Sequence, residues 1–272
     1  MALRIQTNIE AMDAHRNLVG TSQQLSQSME RLSSGYRINK AADDAAGLAI
    51  SEKLAAQVSG LDQAQRNAQD AVSLVQTADG AMNEVQAMLQ RVRDLAVQYN
   101  NGTLSTSDQA SITNEVAQLC AEISRIASQT SFNNIALLSG GATITFQVGA
   151  DDGETVTVSA LSLFGSGSSY DIDSSIFNFT GATVTLASID AAIDKISTAR
   201  STFGAVQNRL QHTLNNLATY QENLSASESQ IKDVDMAAEM VNFTKLQVLQ
   251  QAGTAMLSQA NSSQQSVLRL LQ

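Results

Sequence analysis

The chain has 272 residues with no proline, no tryptophan and 4% aromatic residues, a composition that permits very long helices because proline breaks them. Its net charge of −10 opposes binding to nucleic acid or to an anionic membrane surface. The single cysteine, Cys120, excludes an internal disulfide, and no apolar run reaches the ~18 residues of a membrane span.

The N-terminal segment, residues 1–33, is predicted to form an amphipathic helix. Its apolar face comprises Ile5, Ile9, Met12, Leu18, Leu25, Met29 and Leu32. The segment lacks the apolar core of about 7–15 residues that marks a secretory signal peptide. An extracellular form of this protein would therefore have to leave the cell by a route that reads no such signal.

Residues from about 45 to 99 are predicted to form one helix, roughly 80 Å long. Apolar residues recur in it every seven positions, at Leu54, Leu61, Ala68, Val75, Met82, Leu89 and Ala96. Gly102, in "NNGT", is expected to end this helix. A shorter helix follows, with Ser107 or Asp108 as its predicted N-cap, and "TSFNN" ends it. Its apolar face comprises Ile112, Val116, Leu119, Ile123 and Ile126.

Residues 137–187 have a different pattern. "TITFQVGADDGETVTV" alternates apolar and polar residues around a turn-prone Asp-Asp-Gly-Glu, which predicts a β-hairpin, and "FNFTGATVTL" is predicted to be another strand. The seven-residue spacing then returns, at Ile189, Ile196, Phe203, Leu210, Leu217, Leu224 and Ile231. Two long heptad helices in one chain predict a mainly α fold, an antiparallel bundle that forms a rod and carries a small β-hairpin region.

The C-terminal segment, residues 234–272, is amphipathic to its last residue. Its stripe includes Leu249, Met256, Leu257, Leu268, Leu270 and Leu271. Two terminal helices that pair with each other cannot bury faces of this size, so we expect the remaining apolar surface to bind other copies of the chain or a partner. The alternative is that both ends pack onto the central bundle, although the heptads of that bundle already have partners.

Few residues suggest catalysis or metal binding. The two histidines, His15 and His212, belong to no metal-binding spacing, and "ADDGE" does not fit a calcium-binding EF-hand loop. The adjacent carboxylates Asp43 and Asp44 would point about 100° apart on a helix, too far apart to share a proton easily. We therefore expect no enzymatic activity, no cofactor and no metal site.

Several stretches of the chain together resemble bacterial flagellin. They are "ALRIQTNIEAMDAHRNL", "MERLSSGYRINKAADDAAGLAISEKLAAQVSGLDQAQRNAQDAVSLVQTADGAMNEVQAMLQRVRDLAVQ", "SQTSFNN" and "SQIKDVDMAAEMVNFTKLQVLQQAGTAMLSQANSSQQSVLRLLQ". The resemblance is collinear and extends over roughly residues 1–140 and 188–272. It implies a short flagellin in which residues 137–187 replace the large variable outer domains of longer members.

The resemblance implies self-assembly into the helical filament of the extracellular bacterial flagellum, for swimming motility. Residues 1–33 and 234–272 would form the inner tube, and residues 46–136 and 188–233 the bundle of the surrounding shell. The residues expected to make inner-tube contacts are Ile5, Ile9, Met12, Leu249, Met256, Leu257, Leu268, Leu270 and Leu271. The implied partners are other copies of the chain, a flagellar export chaperone, and hook-associated and cap proteins, with export through the flagellum's own type III apparatus.

Residues 34–45 correspond to the joint between the inner helix and the outer bundle. Gly35 permits a break in the helix. Asp43 and Asp44 are expected in the first turn of the next helix, where carboxylates stabilise the positive end of the helix dipole.

A further resemblance concerns immune recognition. "QRVRDLAVQ", residues 90–98, is similar to the stretch bound by the vertebrate Toll-like receptor for flagellin, and the matching positions are Arg91 and Leu95, with Glu115 on the neighbouring helix. The same residues would also suit packing between filament subunits, so both roles are compatible.

Two alternatives remain at this point. A hook–filament junction protein shares the terminal design, although such proteins match flagellin termini less densely. A helical protein that is exported by a type III route and does not polymerise would also show heptads, but it would not need two apolar ends that act together.

Overall fold

The computed structural model describes residues 8–140, 143–159, 161–163, 172, 179 and 185–270, with the backbone alone at residues 264–270. The elements in chain order are α1 (Ile9–Ser34), α2 (Ala45–Tyr99), α3 (Thr106–Gln129), β1 (Ser131–Phe132), β2 (Ile135–Ala136), β3 (Ile144–Gln147), β4 (Thr155–Val158), α4 (Leu186–Lys232) and α5 (Met236–Leu270). The predicted mainly α fold class with a small β-hairpin region is confirmed.

The chain divides into two compact units. The terminal unit comprises Met1–Ala56 and Asn223–Gln272, and the central unit comprises Gln57–Glu222. Parts of α2 and of α4 contribute to each unit.

The core of the central unit is built from the two predicted heptad stripes. On α2 the residues from Leu61 to Ala96 in that stripe are all 0% exposed, and on α4 the residues from Ile189 to Leu217 are all buried. Side chains with this spacing share one face of a helix, so both helices turn a continuous apolar face towards the core.

Polar side chains join α2 to α4 along the edge of that core. The Arg200 guanidinium donates from Nε to Asp79 Oδ1 and from Nη1 to Gln86 Oε1, both at 2.8 Å. Further along, the amide of Gln221 donates to Asp62 Oδ1 at 2.6 Å. Higher residue numbers on α4 pair with lower ones on α2, so the two helices are antiparallel, as the bundle prediction requires.

The N-cap of α3 differs from the prediction. The cap is Ser105, and neither Ser107 nor Asp108 serves as one. The Ser105 hydroxyl accepts from the Asp108 N–H at 3.2 Å, and the Asp108 carboxylate accepts from the Ser105 N–H at the same distance. This reciprocal capping box satisfies two amides that have no partner within the helix, and it needs an acceptor three residues into the helix, which Ser105 has and Ser107 lacks.

Two hairpins complete the central unit. β3 and β4 pair antiparallel with Ile144 opposite Val158, which confirms the predicted hairpin. β1 and β2 form a second, very short hairpin that was not predicted; it begins in the stretch predicted only to end α3 and extends two residues beyond it. Its turn residues Asn133 and Asn134 have φ of 48° and 65°, a left-handed conformation that asparagine tolerates better than most residues. The strand predicted over residues 177–186 falls largely outside the described residues.

In the terminal unit, α1 and α5 pack side by side in opposite directions. The side-chain amide of Asn8 donates to the Ala260 carbonyl at 3.1 Å. Gly253 brings the helices close together, because a Cβ there would lie 3.2 Å from the Leu18 Cδ1 atom. The two terminal segments therefore pair with each other.

Candidate functional site: the terminal helix pair and its joint

α5 has two apolar faces, and only one of them meets α1. Leu246 and Gly253, seven residues apart, lie along the seam with α1. Val241 and Val248 are also seven residues apart, and each lies five residues before its counterpart in the first pair. Their side chains are 68% and 62% exposed. Five residues rotate a helix by about 500°, which is one full turn plus about 140°. The second stripe therefore lies on the far side of the helix from α1.

Exposed apolar side chains occur on both terminal helices. Among the described residues, fifteen large apolar side chains are exposed, and four of them lie on α1 and six on α5. We call these ten residues the terminal apolar surface; they are Ile9, Met12, Val19, Met29, Met236, Met240, Val241, Val248, Leu249 and Met256. So many exposed apolar side chains on one helix pair are typical of an interaction site.

The structure brings four of the predicted assembly residues into the terminal apolar surface: Ile9, Met12, Leu249 and Met256. Leu257 is half-buried. The remaining predicted positions, Ile5, Leu268, Leu270 and Leu271, fall where side chains are not described. The apolar stripe read from the sequence also contains Met240 and Val241, which are exposed, but it left out Met236 and Val248, which are 48% and 62% exposed on the same helix.

A polar groove interrupts the seam between α1 and α5. It is lined by Ser28 and Arg31 on α1 and by Glu239 and Lys245 on α5. Ser28 is 3% exposed, and its hydroxyl has no hydrogen-bond partner among the described residues. A buried hydroxyl without a partner destabilises the fold by about 1–3 kcal/mol, so this groove is a weak point of the helix pair.

The predicted joint is a backbone clasp between two distant parts of the chain. Gly35 ends α1, at the break predicted there, with φ of 76°, a left-handed conformation that glycine adopts readily. The Arg37 N–H donates to the Lys232 carbonyl at 2.7 Å, and the Val234 N–H donates to the Gly35 carbonyl at 3.0 Å. The Arg37 guanidinium also donates to the Ile231 carbonyl at 2.5 Å, which places a cation at the negative end of α4.

Side chains reinforce the clasp. The Lys232 ammonium lies 5.1 Å from the centre of the Tyr36 ring and 3.6 Å from a Glu52 carboxylate oxygen. Nearby, Lys40 and Glu30 form an ion pair at 2.7 Å, and the hydrogen bond and charge of Glu30 raise the pKa of the Lys40 ammonium. The loop that follows α1 and the loop that precedes α5 are therefore fastened to each other within the terminal unit.

The two joint carboxylates do not lie in the first helical turn, so that prediction is wrong. Asp44 precedes α2 as its N-cap, and its Oδ1 accepts from the Gly47 N–H at 2.9 Å. Asp43 lies outside the helix and accepts from the backbone N–H groups of Lys40 and Asn39 at 3.0 and 3.1 Å. These two bonds hold the pKa of Asp43 below its ordinary value. Both carboxylates shape the turn instead of stabilising the helix dipole from within.

The predicted receptor-recognition residues lie in the central unit, and they are not equivalent. Arg91 and Glu115 form an ion pair at 2.8 Å between α2 and α3, with side chains 55% and 44% exposed. Leu95 is 2% exposed and belongs to the apolar core, so its side chain is not offered at the surface. Sequence spacing placed Leu95 one helical turn after Arg91, but burial separates their roles.

The residues considered for catalysis or metal binding do not come together in one site. His15 and His212 are exposed, and Cys120 is half-buried, with burial raising the pKa of its thiol. Within the described ranges, no three His, Cys, Asp or Glu side chains are grouped to hold a metal ion.

Over the residues that the structure describes, no helix combines the length and the apolar character needed to cross a membrane.

Comparison with protein families gives two matches. The model for the bacterial flagellin N-terminal helical region matches residues 5–143, and the model for the bacterial flagellin C-terminal helical region matches residues 186–271. Together they cover most of the chain.

Individual relatives match over nearly their whole length. A flagellin from Halalkalibacterium halodurans is 49% identical, with 98% of this chain and 99% of the relative aligned. The flagellar filament 33 kDa core protein of Treponema phagedenis is 44% identical over the same shares of the two chains. A crystal structure of Bacillus cereus flagellin is 35% identical, covers 60% of this chain and 94% of its own, and superposes with a TM-score of 0.50.

Proposed function

The chain belongs to the bacterial flagellin family, and we propose that it assembles through the terminal apolar surface of α1 and α5. It is a structural subunit of the bacterial flagellar filament, which is an extracellular polymer of identical copies. As a structural protein it is assigned no enzymatic role and no cofactor.

The observation that carries the proposal is the second apolar face of α5. A helix that packs against one neighbour needs one apolar stripe, and the Leu246–Gly253 side already meets α1. The exposed stripe at Val241 and Val248 has the spacing that packs against a further helix. In a homopolymer that further helix comes from another copy of the chain.

The predicted domain roles follow from this assignment. Residues 1–33 and 234–272 form the inner tube, residues 46–136 and 188–233 form the shell, and residues 34–45 are the joint between them. Residues 137–187 stand in place of the variable domains. The clasp between Arg37 and Lys232 supports the joint, because it fastens both crossings of the chain at one place.

Export and capping involve further proteins. We assign to the chain the family's type III export route, an export chaperone that binds the C-terminal helix, and contacts with hook-associated and cap proteins at the ends of the filament. The terminal apolar surface supports the chaperone assignment, because such a surface has to be covered before assembly.

Seeded polymerisation of the full chain tests the assembly proposal. Fragmented filaments are mixed with monomer, and elongation is followed by sedimentation and electron microscopy. Val241→Glu should raise the critical subunit concentration at least about tenfold, because a carboxylate buried without a partner costs several kcal/mol. Gln211→Glu, an exposed polar position on α4 in the central unit, is the control with the same added charge.

The outcomes separate the alternatives. Elongation at the parent's critical concentration by Gln211→Glu, together with a critical concentration at least about tenfold higher for Val241→Glu, supports assembly through the far side of α5. Equal elongation by all three proteins would remove the proposed surface. A parent chain that never elongates seeds would favour a junction protein or a secreted protein that does not polymerise.

A second role, as a ligand of the vertebrate Toll-like receptor for flagellin, is favoured by the exposed Arg91–Glu115 pair. We assign direct contact to these two side chains and a supporting position beneath them to Leu95. Receptor-reporter cells treated with monomer should respond about tenfold less to Arg91→Ala or Glu115→Ala than to the parent, as expected for the loss of an interaction of ~1.4 kcal/mol. Arg125→Ala, on the exposed side of α3, is the control, and an unchanged response to the first two variants would exclude this contact.

A further inference from the structure

We propose that the methionines of the terminal apolar surface are an oxidation site that controls assembly. Peroxides would convert them to sulfoxides in the free subunit, and the sulfoxides would block packing between copies. This inference rests on the proposed function, because packing between copies is the step that oxidation stops.

The distribution of methionine carries the proposal. Seven methionines have described side chains, and five of them are exposed: Met12, Met29, Met236, Met240 and Met256 are 46–65% exposed. All five lie on α1 or α5 and make up half of the ten residues of the terminal apolar surface. Of the other two, Met82 lies in the core of the central unit and the half-buried Met88 packs against that core.

The choice of residue has a chemical consequence. Leucine would provide a similar apolar contact, but it has no atom that a mild oxidant attacks. Methionine provides a flexible, polarisable contact through its thioether, and that sulfur is also the atom that oxidants reach when the side chain is exposed. The surface used for assembly is therefore also the most oxidisable surface among the described residues.

The reaction needs one peroxide per methionine. A lone pair on Sδ attacks one oxygen of hydrogen peroxide, the O–O bond breaks, and an S–O bond forms. The sulfur is oxidised by two electrons, the peroxide is reduced, and the second oxygen leaves as water after proton transfer. The product is a polar sulfoxide with a strong acceptor oxygen, which loses its hydration when another helix packs against it.

Cys120 is a weak competitor for the oxidant. Peroxide reacts with the thiolate, and burial raises the pKa of the Cys120 thiol, so little thiolate is present at neutral pH. The residue also belongs to the central unit, whereas the terminal apolar surface belongs to the terminal unit.

The first experiment uses the full chain without substitutions. Monomer is treated with hydrogen peroxide, the reaction is stopped with catalase, and oxygen addition at each methionine is followed by peptide mass spectrometry. The five exposed methionines should react faster than Met82, which is 0% exposed. The critical concentration for seeded elongation should then rise about tenfold or more, and the methionine sulfoxide reductases A and B should restore it.

Three results would overturn the proposal. They are an unchanged critical concentration after oxidation of the five methionines, oxidation of Met82 as fast as theirs, and no recovery after the reductases have removed the sulfoxides. Untreated monomer that fails to elongate seeds would instead remove the proposed function, so the two failures are distinguishable.

Two further experiments test whether the five methionines are the groups through which oxidation blocks assembly. Assembled filaments should resist the same treatment, because neighbouring copies cover the methionines; oxidation in filaments at the monomer rate would contradict the proposal. In a variant with all five methionines changed to leucine, treated and untreated samples of that variant are compared with each other. Their critical concentrations should agree, and a rise as large as in the parent would assign the effect to another group.

Discussion

Alanine is a better helix former than glycine, yet Gly47→Ala in the first turn of α2 is expected to destabilise the terminal unit. The reason is the crowding around this glycine. A Cβ at Gly47 would lie 2.8 Å from the Ile38 Cδ1 atom and in even closer contact with the Asp44 carboxylate. Moving either neighbour lowers the stability of the terminal unit, because Asp44 caps the helix and Ile38 is 2% exposed in a packed site.

The magnitude follows from three contributions. Replacing glycine by alanine within a helix stabilises it by about 0.5–1 kcal/mol. Displacing the Asp44 carboxylate removes an N-cap that contributes about 1 kcal/mol. Forcing Ile38 to repack in a filled site costs about 1–3 kcal/mol. The free energy of unfolding of the terminal unit should therefore fall by about 1–3 kcal/mol.

The same substitution elsewhere in α2 provides the control. A Cβ at Gly80 would meet no atom of another described residue within 4 Å beyond the helix backbone, so Gly80→Ala should stabilise the chain by about 0.5–1 kcal/mol. Urea unfolding followed by circular dichroism gives the sign for each variant, and native-state hydrogen exchange of the amides near Gly47 localises the effect. A Gly47→Ala variant that gains as much stability as Gly80→Ala would refute the reasoning.

Three other expectations concern capping, core packing and pH. Ser105→Ala should lower the stability of the central unit by about 1 kcal/mol in urea unfolding, whereas Ser107→Ala should change it by less than about 0.5 kcal/mol; equal effects would contradict the assigned cap. Leu210→Ala, at a position 0% exposed on α4, should cost about 2–5 kcal/mol in the same assay, and a cost below about 1 kcal/mol would show that the site is not close-packed. The pKa of Asp43 is lower in the folded chain than its ordinary value of 3.8, because two backbone N–H groups bind the carboxylate. Its contribution to stability is therefore full above pH 3.8 and is lost as the pH falls through the lower folded-state value. Asp43→Asn should remove this acid-dependent loosening of the joint, measured as amide exchange at residues 39 and 40, and parallel pH profiles for parent and variant would refute it.

The long helices could be predicted closely because their signal is repeated. Seven-residue spacing over seven positions leaves little ambiguity, and α2 spans the predicted residues 45–99. Gly102 does not cap it, because the helix ends three residues earlier and Gly102 has no positive φ. The β3–β4 hairpin was also predictable, because alternation flanks a turn that contains Gly153 with φ of 92°. In each case the information is local, since neighbouring residues alone decide which side chains share a face.

Short features were harder to predict. The N-cap of α3 was placed two or three residues late, because several polar residues in that stretch can cap and only the reciprocal bonds of Ser105 and Asp108 distinguish them. The β1–β2 hairpin was missed, although the two asparagines at its turn were a usable signal. Two-residue strands gain their pairing from the surrounding fold and have almost no periodicity of their own.

The sequence by itself determined the fold class, the two heptad stripes and the apolar character of both chain ends, because helix geometry converts spacing directly into a shared face. Only the tertiary structure decided which face of α5 meets α1 and which remains exposed, which of Arg91 and Leu95 reaches the surface, and that residues near 36 and 233 form one clasp. These outcomes depend on contacts between segments that lie far apart in the chain, and no local pattern contains the identity of a distant partner.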